Sequence, residues 1–249
     1  MSEKPQSPKK PKPEWDVTDA ESLIKEALTL QYFTPSDPDG QIPIPALFVP
    51  SPGARLIVIV GENASGKSFM RRIVTQIGRE IKVEVMPISM EGRGQSYGGL
   101  RGMIYGDESW ESTGVCSAGT VRGGISTCKE RTSPHIIFWD EPDLGLSENS
   151  AAGVGQAIGQ FMAAPNPHTM AAIVVTHSKP LVKHLVEGLN PEPGAYRNRP
   201  HYLHLGTDPK DAPPDLFEWL RTPVVPRSLE DISEAGMRRF RLIGRILKS

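Results

Sequence analysis

Three runs of consecutive apolar residues stand out along the chain: Leu56 to Val60, Ile136 to Trp139 and Ala171 to Val175. Each is too short for a buried helix and lacks the alternation of a strand with one wet face. Each therefore reads as a strand covered on both sides, the mark of a parallel sheet. Helical periodicity fills the intervals. Asp16 to Gln31 carries Leu23, Ile24, Ala27, Leu28 and Leu30, with Thr18 as N-cap and Glu21 three residues on, the capping-box pattern. Ser68 to Ile77 reads as a helix stopped by Gly78. Lys179 to Leu189 and Ser228 to Lys248 are further helices, the latter opened by Ser228 with Asp231 in its first turn. Ile81 to Met90 and Tyr202 to Leu205 add two strands, and the proline-rich stretch Thr34 to Gly53 is an extended linker or edge strand.

The pattern predicts an α/β fold: a mostly parallel central sheet flanked by helices. It also divides the chain. Residues 1–15, with four Pro and four Lys before Trp15, read as a disordered basic tail. Residues 16–205 form the α/β domain, and 206–249 a C-terminal extension that ends in a basic amphipathic helix. That helix interleaves Arg238, Arg239, Arg241, Arg245 and Lys248 with Phe240, Leu242, Ile243, Ile246 and Leu247. It either packs its apolar face on its own domain or engages a protein, nucleic-acid or membrane partner.

Composition narrows the class. At 249 residues and a net charge of −1, the chain has no global basic field to draw it to DNA or to a membrane surface. No apolar stretch approaches the roughly 18 residues that span a bilayer, and no signal-peptide core is present, so a cytoplasmic protein without a transmembrane segment is expected. Two cysteines, Cys116 and Cys128, argue against a disulfide framework.

The chemistry lies where the apolar runs end. Directly after Val60, residues Gly61 to Ser68 read GENASGKS, which fits G-x-x-x-x-G-K-[ST] in its strand-to-helix setting and points to nucleoside triphosphate binding. Gly61 and Gly66 let the backbone curl so that successive amides converge on phosphate oxygens, backed by the positive end of the following helix. Lys67 is set to reach the β and γ phosphates, and the Ser68 hydroxyl to coordinate Mg²⁺. The nucleotide-binding stretch is thus Gly61, Glu62, Asn63, Ala64, Ser65, Gly66, Lys67, Ser68 and Phe69. The second run ends in Asp140, Glu141 and Pro142, and the third in Thr176, His177 and Ser178. Ligands of open α/β sheets gather at the carboxyl ends of strands, so Asp140 would face the magnesium and Glu141 the attacking water.

Taken in order, these three segments resemble the ABC-type ATPases, with the G-x-N-x-S-G-K-S turn and the DEP ending typical of that superfamily. The DEPDLGLSE stretch is more similar to soluble and repair-type members, related to SMC and RecF proteins, than to transporter motors. The resemblance implies a P-loop ATPase core with a reduced signature subdomain. It makes Lys67, Glu141 and His177 the catalytic residues, the last as the switch histidine on the γ-phosphate. It implies ATP and Mg²⁺ as ligands, and a nucleotide-dependent homodimer. The family's usual distance before Asp140 falls on Ser117 in the segment CSAGT, a divergent signature in which Ser117 and Gly119 would meet the nucleotide of the opposite protomer at a helix N-terminus. A polar loop is the plain alternative for Ser117 to Gly124. Gln95 would be the lid glutamine on the metal, and Ser147 stands where the family's D-loop carries aspartate. Tyr32, Phe33 or Phe48 would stack on adenine, with a plain core role the alternative for each. The implied function is a soluble ATPase acting as a dimerisation switch, in nucleic-acid or defence processes. Its rivals are the motor subunit of a membrane transporter and a non-hydrolysing ATP-dependent binding module.

Overall fold

The computed structural model describes residues 15–35, 40, 42–89, 113–192, 198–226 and 228–246. Gln95, the basic tail up to Glu14, the loop Glu91 to Gly102, and Leu247 and Lys248 lie outside the described residues. Six strands form one sheet: β1 (Ala46–Val49), β2 (Leu56–Gly61), β3 (Glu84–Ser89), β4 (His135–Asp140), β5 (Thr169–Val175) and β6 (His201–Leu205). The spatial order is β1-β6-β2-β5-β4-β3. Every pairing is parallel except that of the edge strand β1 with β6. The proline-rich stretch therefore supplies an edge strand at its end, where a missing amide donor is tolerated.

Helices cover both faces, as the continuous apolar strands require. On one face α1 (Ala20–Leu28) and α2 (Lys67–Glu80) enclose Ile57, Ile59, Ile136, Phe138 and Ile173. On the other, α3 (Thr113–Glu130), α4 (Glu148–Ala163), α5 (Lys179–Leu189) and α6 (Leu216–Arg221) enclose Leu56, Val58, Val60, Ile137 and Trp139. The last helix, α7 (Leu229–Ile246), is capped as expected by Ser228, whose hydroxyl accepts from the Asp231 amide at 3.0 Å.

Two expectations need correction. Asp19 rather than Thr18 caps α1: its carboxylate accepts from the Ser22 amide at 2.8 Å, and Ser22 answers by accepting from the Asp19 amide. The box is Asp-Ser, and Glu21 takes no part in it. Nor does Gly78 stop α2, which runs on to Glu80. A Cβ at Gly78 would lie 2.4 Å from Val85 Cγ2 and 2.9 Å from the Val83 carbonyl, so this glycine is a close-approach site against β3.

The tightest helix pair, α4 on α5, bears on the candidate site because each helix follows one of the loops that carry it. Gly155, Gly159 and Gly188 bring the two backbones together: an added Cβ would meet the carbonyl oxygens of Leu181, Leu185 and Gln156 at 2.0, 2.1 and 2.5 Å. Backbone cannot yield as a flexible side chain can. Gly159→Ala should therefore destabilise the domain by about 2 kcal/mol or more, seen as a lower urea midpoint with an unchanged slope, whereas Gly153→Ala, where nothing lies within 4 Å, should leave the midpoint unchanged or raise it.

Candidate functional site

The strand order makes the site. β2, β5 and β4 are parallel neighbours, and Ile59 pairs with Val175, which pairs with Asp140. Three apolar runs far apart in sequence thus end within one residue of the level of Val175, and their following residues meet at one sheet edge: Gly61 to Ser68, Asp140 to Asp143, and Thr176 to Ser178.

The glycine-rich turn has the geometry its residues predict. Gly61 and Gly66 take φ of 148° and 103°, and Ala64 a left-handed 59°. A Cβ at Gly61 would come within 2.3 Å of the Leu205 carbonyl oxygen, so the turn is pressed against the neighbouring strand. Ser65 and Lys67 are buried, while Glu62, Asn63, Ala64 and Ser68 are exposed. Lys67 folds back over the turn, its Nζ donating to the carbonyls of Gly61 at 3.0 Å and Glu62 at 2.8 Å. Burial pulls its pKa from 10.5 down to about 8, against the opposing pull of Glu141, Asp140 and Glu62.

Asp140 is buried, and Arg71 Nε lies 3.4 Å from its carboxylate. Ser68 and Arg71 are three residues apart on α2 and share a helix face, so the same face that presents the Ser68 hydroxyl also presents a cation to Asp140. Sequence reasoning missed Arg71; its i+3 spacing from Ser68 was the available signal. Ser68 and Asp140 offer hard oxygen donors of the kind Mg²⁺ takes. Among the described residues no group of three or more His, Cys, Asp and Glu stands ready to hold a metal. A magnesium ion here would draw its remaining ligands from phosphate and water, as that ion commonly does.

Glu141 and His177 are brought together. Glu141 Oε1 lies 3.2 Å from His177 Nε2, and both side chains are partly open to solvent. Glu141 adopts φ of 51°, a strained value for a residue with a side chain, and its amide donates to the Val175 carbonyl at 2.9 Å. The His177 hydrogen bond, helped by the charges of His177 and Lys67, holds the Glu141 carboxyl below its ordinary pKa despite partial burial. Two residues on, Asp143 shifts the other way: burial raises it, although Thr176 donates to it at 2.8 Å.

The proposed signature segment is arranged differently from expectation. Ser117 and Gly119 lie within α3, past its first turn, and not at its N-terminus. The Ser117 side chain is 1% exposed and donates to the Leu144 carbonyl at 2.8 Å. The cause is close packing, since at Gly114 an added Cβ would sit 3.1 Å from the Gly145 carbonyl oxygen. Ser147, at the expected D-loop position, is the N-cap of α4. Of the three aromatics, Tyr32 meets Phe69 edge to face at 4.6 Å, Phe33 is buried in the core, and Phe48 packs near His201. Along α7, Ile243 packs on the α1–α2 side of the core, and a Cβ at Gly236 would lie 3.8 Å from the Ala64 methyl. Met237 and Phe240 remain exposed.

A lysine whose pKa is lower folded than unfolded weakens the fold wherever it is charged. That penalty is complete below about pH 8 and is relieved as the pH rises toward 10.5, because over that interval the unfolded chain binds the extra proton. Lys67→Met should therefore raise the melting temperature of the nucleotide-free protein at pH 7 by about 2–4 °C, and the gap to wild type should close between pH 8 and 10.5 in thermal melts. No protein-family model matches the chain and no curated protein matches it, so what this site does must be read from its chemistry.

Proposed function

We propose that the chain is a P-loop ATPase of ABC type that binds Mg-ATP at the Gly61 to Ser68 turn and hydrolyses it. The observation that carries this reading is the Glu141–His177 pair at 3.2 Å, at the sheet edge where the turn bearing Lys67 also lies. Amides of the turn and the start of α2 supply donors for phosphate oxygens. Lys67, which now donates to two carbonyls, has an ammonium group that can exchange them for β and γ phosphate oxygens. Ser68 and Asp140 would hold the magnesium ion, which when bound neutralises charge building on the phosphates. Glu141, kept ionised by its histidine, orients a water for in-line attack and accepts its proton, and His177 contacts the γ-phosphoryl group.

In this reading the molecule works as a nucleotide-driven homodimer, each copy closing over the ATP of the other. The Ser117 hydroxyl, which faces Leu144, would not supply the cross-dimer contact as packed here; Gly119, with open space where its Cβ would stand, is the better candidate. The inward Ser117 and the cap role of Ser147 favour a second reading, an ATP-dependent binding module that does not turn over. The motor subunit of a membrane transporter is the other rival; among the described residues no helix is long and apolar enough to cross a membrane.

Glu141→Gln should still bind ATP, lose hydrolysis by about 10²-fold or more, and shift to the mass of a dimer on size exclusion with light scattering in Mg-ATP. Lys67→Ala should lose nucleotide binding. A Glu141→Gln protein that binds ATP yet stays monomeric defeats the sandwich, and a wild-type protein that binds ATP without turnover selects the second reading.

A further inference from the structure

We propose that Asp143 is a positioning residue which, through the Thr176 hydroxyl, locks His177 against Glu141. The inference rests on the ATPase reading of the same site. Segment 141–143 is tied to segment 175–177 by three links: the Glu141 amide to the Val175 carbonyl at 2.9 Å, His177 to Glu141 at 3.2 Å, and Thr176 Oγ1 to Asp143 Oδ1 at 2.8 Å. The last organises the others. Thr176 is fully buried, and its amide is anchored to the Ile59 carbonyl of β2 at 3.1 Å.

Its hydroxyl has one proton to give and gives it to Asp143. With the oxygen so oriented, a lone pair accepts from the Ser178 amide at 2.9 Å. His177 is bracketed between those two bonded residues, in a stretch with no helix or strand of its own. Ser178 then opens α5 as its N-cap. On the other side Pro142 stiffens the chain between Glu141 and Asp143. The two carboxylates therefore divide the work, Glu141 toward water and Asp143 toward the scaffold.

The test compares Thr176→Val, which is close in shape and leaves charge unchanged, with Thr176→Ser, Asp143→Ala and the double variant Asp143→Ala/Thr176→Val. Thr176→Val and Asp143→Ala should each lower kcat about ten- to a hundredfold with KM for ATP nearly unchanged. Thr176→Ser should keep wild-type kcat, and the double variant should fall no further than the worse single, as expected of two halves of one contact. A second readout needs no turnover. In nucleotide-free protein with ¹⁵N-labelled histidine, the His177 ring signals should shift on Glu141→Gln in the wild-type background and should fail to shift in the Thr176→Val background.

A Thr176→Val protein with normal kcat, a Thr176→Ser protein as impaired as the valine, or multiplicative losses in the double variant overturns the assignment. So does a Glu141→Gln response that survives Thr176→Val. A wild-type chain without ATP turnover would count against the proposed function instead, and the histidine signals would still decide whether the lock exists.

Discussion

The parallel register of β4, β5 and β2, which brings their carboxyl ends within two residues of one level, is the constraint on which the site depends. Their residues are buried on both faces almost without exception, so a register slip would drag polar residues into the core. Polarity begins where burial stops. The pairing of Ile59 with Val175 and Val175 with Asp140 puts those three residues in one row, and Gly61 and Thr176 follow it within two residues. Parallel strands need long crossovers, which is why the contributing segments are so distant in sequence. The glycine contacts between α4 and α5 extend the same logic one layer outward, because they fix the helices that leave two of the three loops.

At that edge, charge is partitioned by hydrogen bonding and burial together. Glu141 and Asp143 are two residues apart, yet one is held below and the other above its ordinary pKa. The difference follows from the histidine bond on the first and the burial of the second. An imidazole bonds the first and adds charge to that bond, while the second is more buried and receives a neutral hydroxyl. Groups whose environments push their ionisation apart take different roles, an ionised carboxylate facing the open edge and a second turned to the frame.

Legibility in the sequence tracked how local each signal was. The buried strands were readable because a strand covered on both faces has one appearance, an unbroken apolar run. Lys67, Asp140, Glu141 and His177 were readable because each sits at a fixed offset from such a run. Ser117 was found by distance alone, and distance gives a position along a helix without saying which way the side chain turns; Gly114 and the packing against Gly145 decided that. Gly78 was misread because a glycine near a helix end carries two meanings, a left-handed stop or room for a neighbour, and only β3 separates them. Gly155, Gly159 and Gly188 left no trace, since a partner helix must be known before a small residue reads as a contact. The Asp143–Thr176 bond was hidden for the same reason, although both residues adjoin ones already singled out.

The C-terminal helix carries charges that its own fold accounts for in part. Its run of arginines left open a surface for a protein, nucleic acid or membrane, and α7 begins with Glu230 and Asp231. Those carboxylates complement the helix macrodipole at its N-terminus. Arg238 also pairs with Glu234 one turn earlier, at 2.9 Å, so part of the positive charge is neutralised within the helix. Ile243 is turned to the core, and Gly236 stands beside Ala64, which uses one face on the domain itself. Arg238 thus has an account within the helix itself. Leu229, Met237 and Phe240 are exposed on the helix that passes beside the glycine-rich turn, and neither charge nor core packing accounts for them.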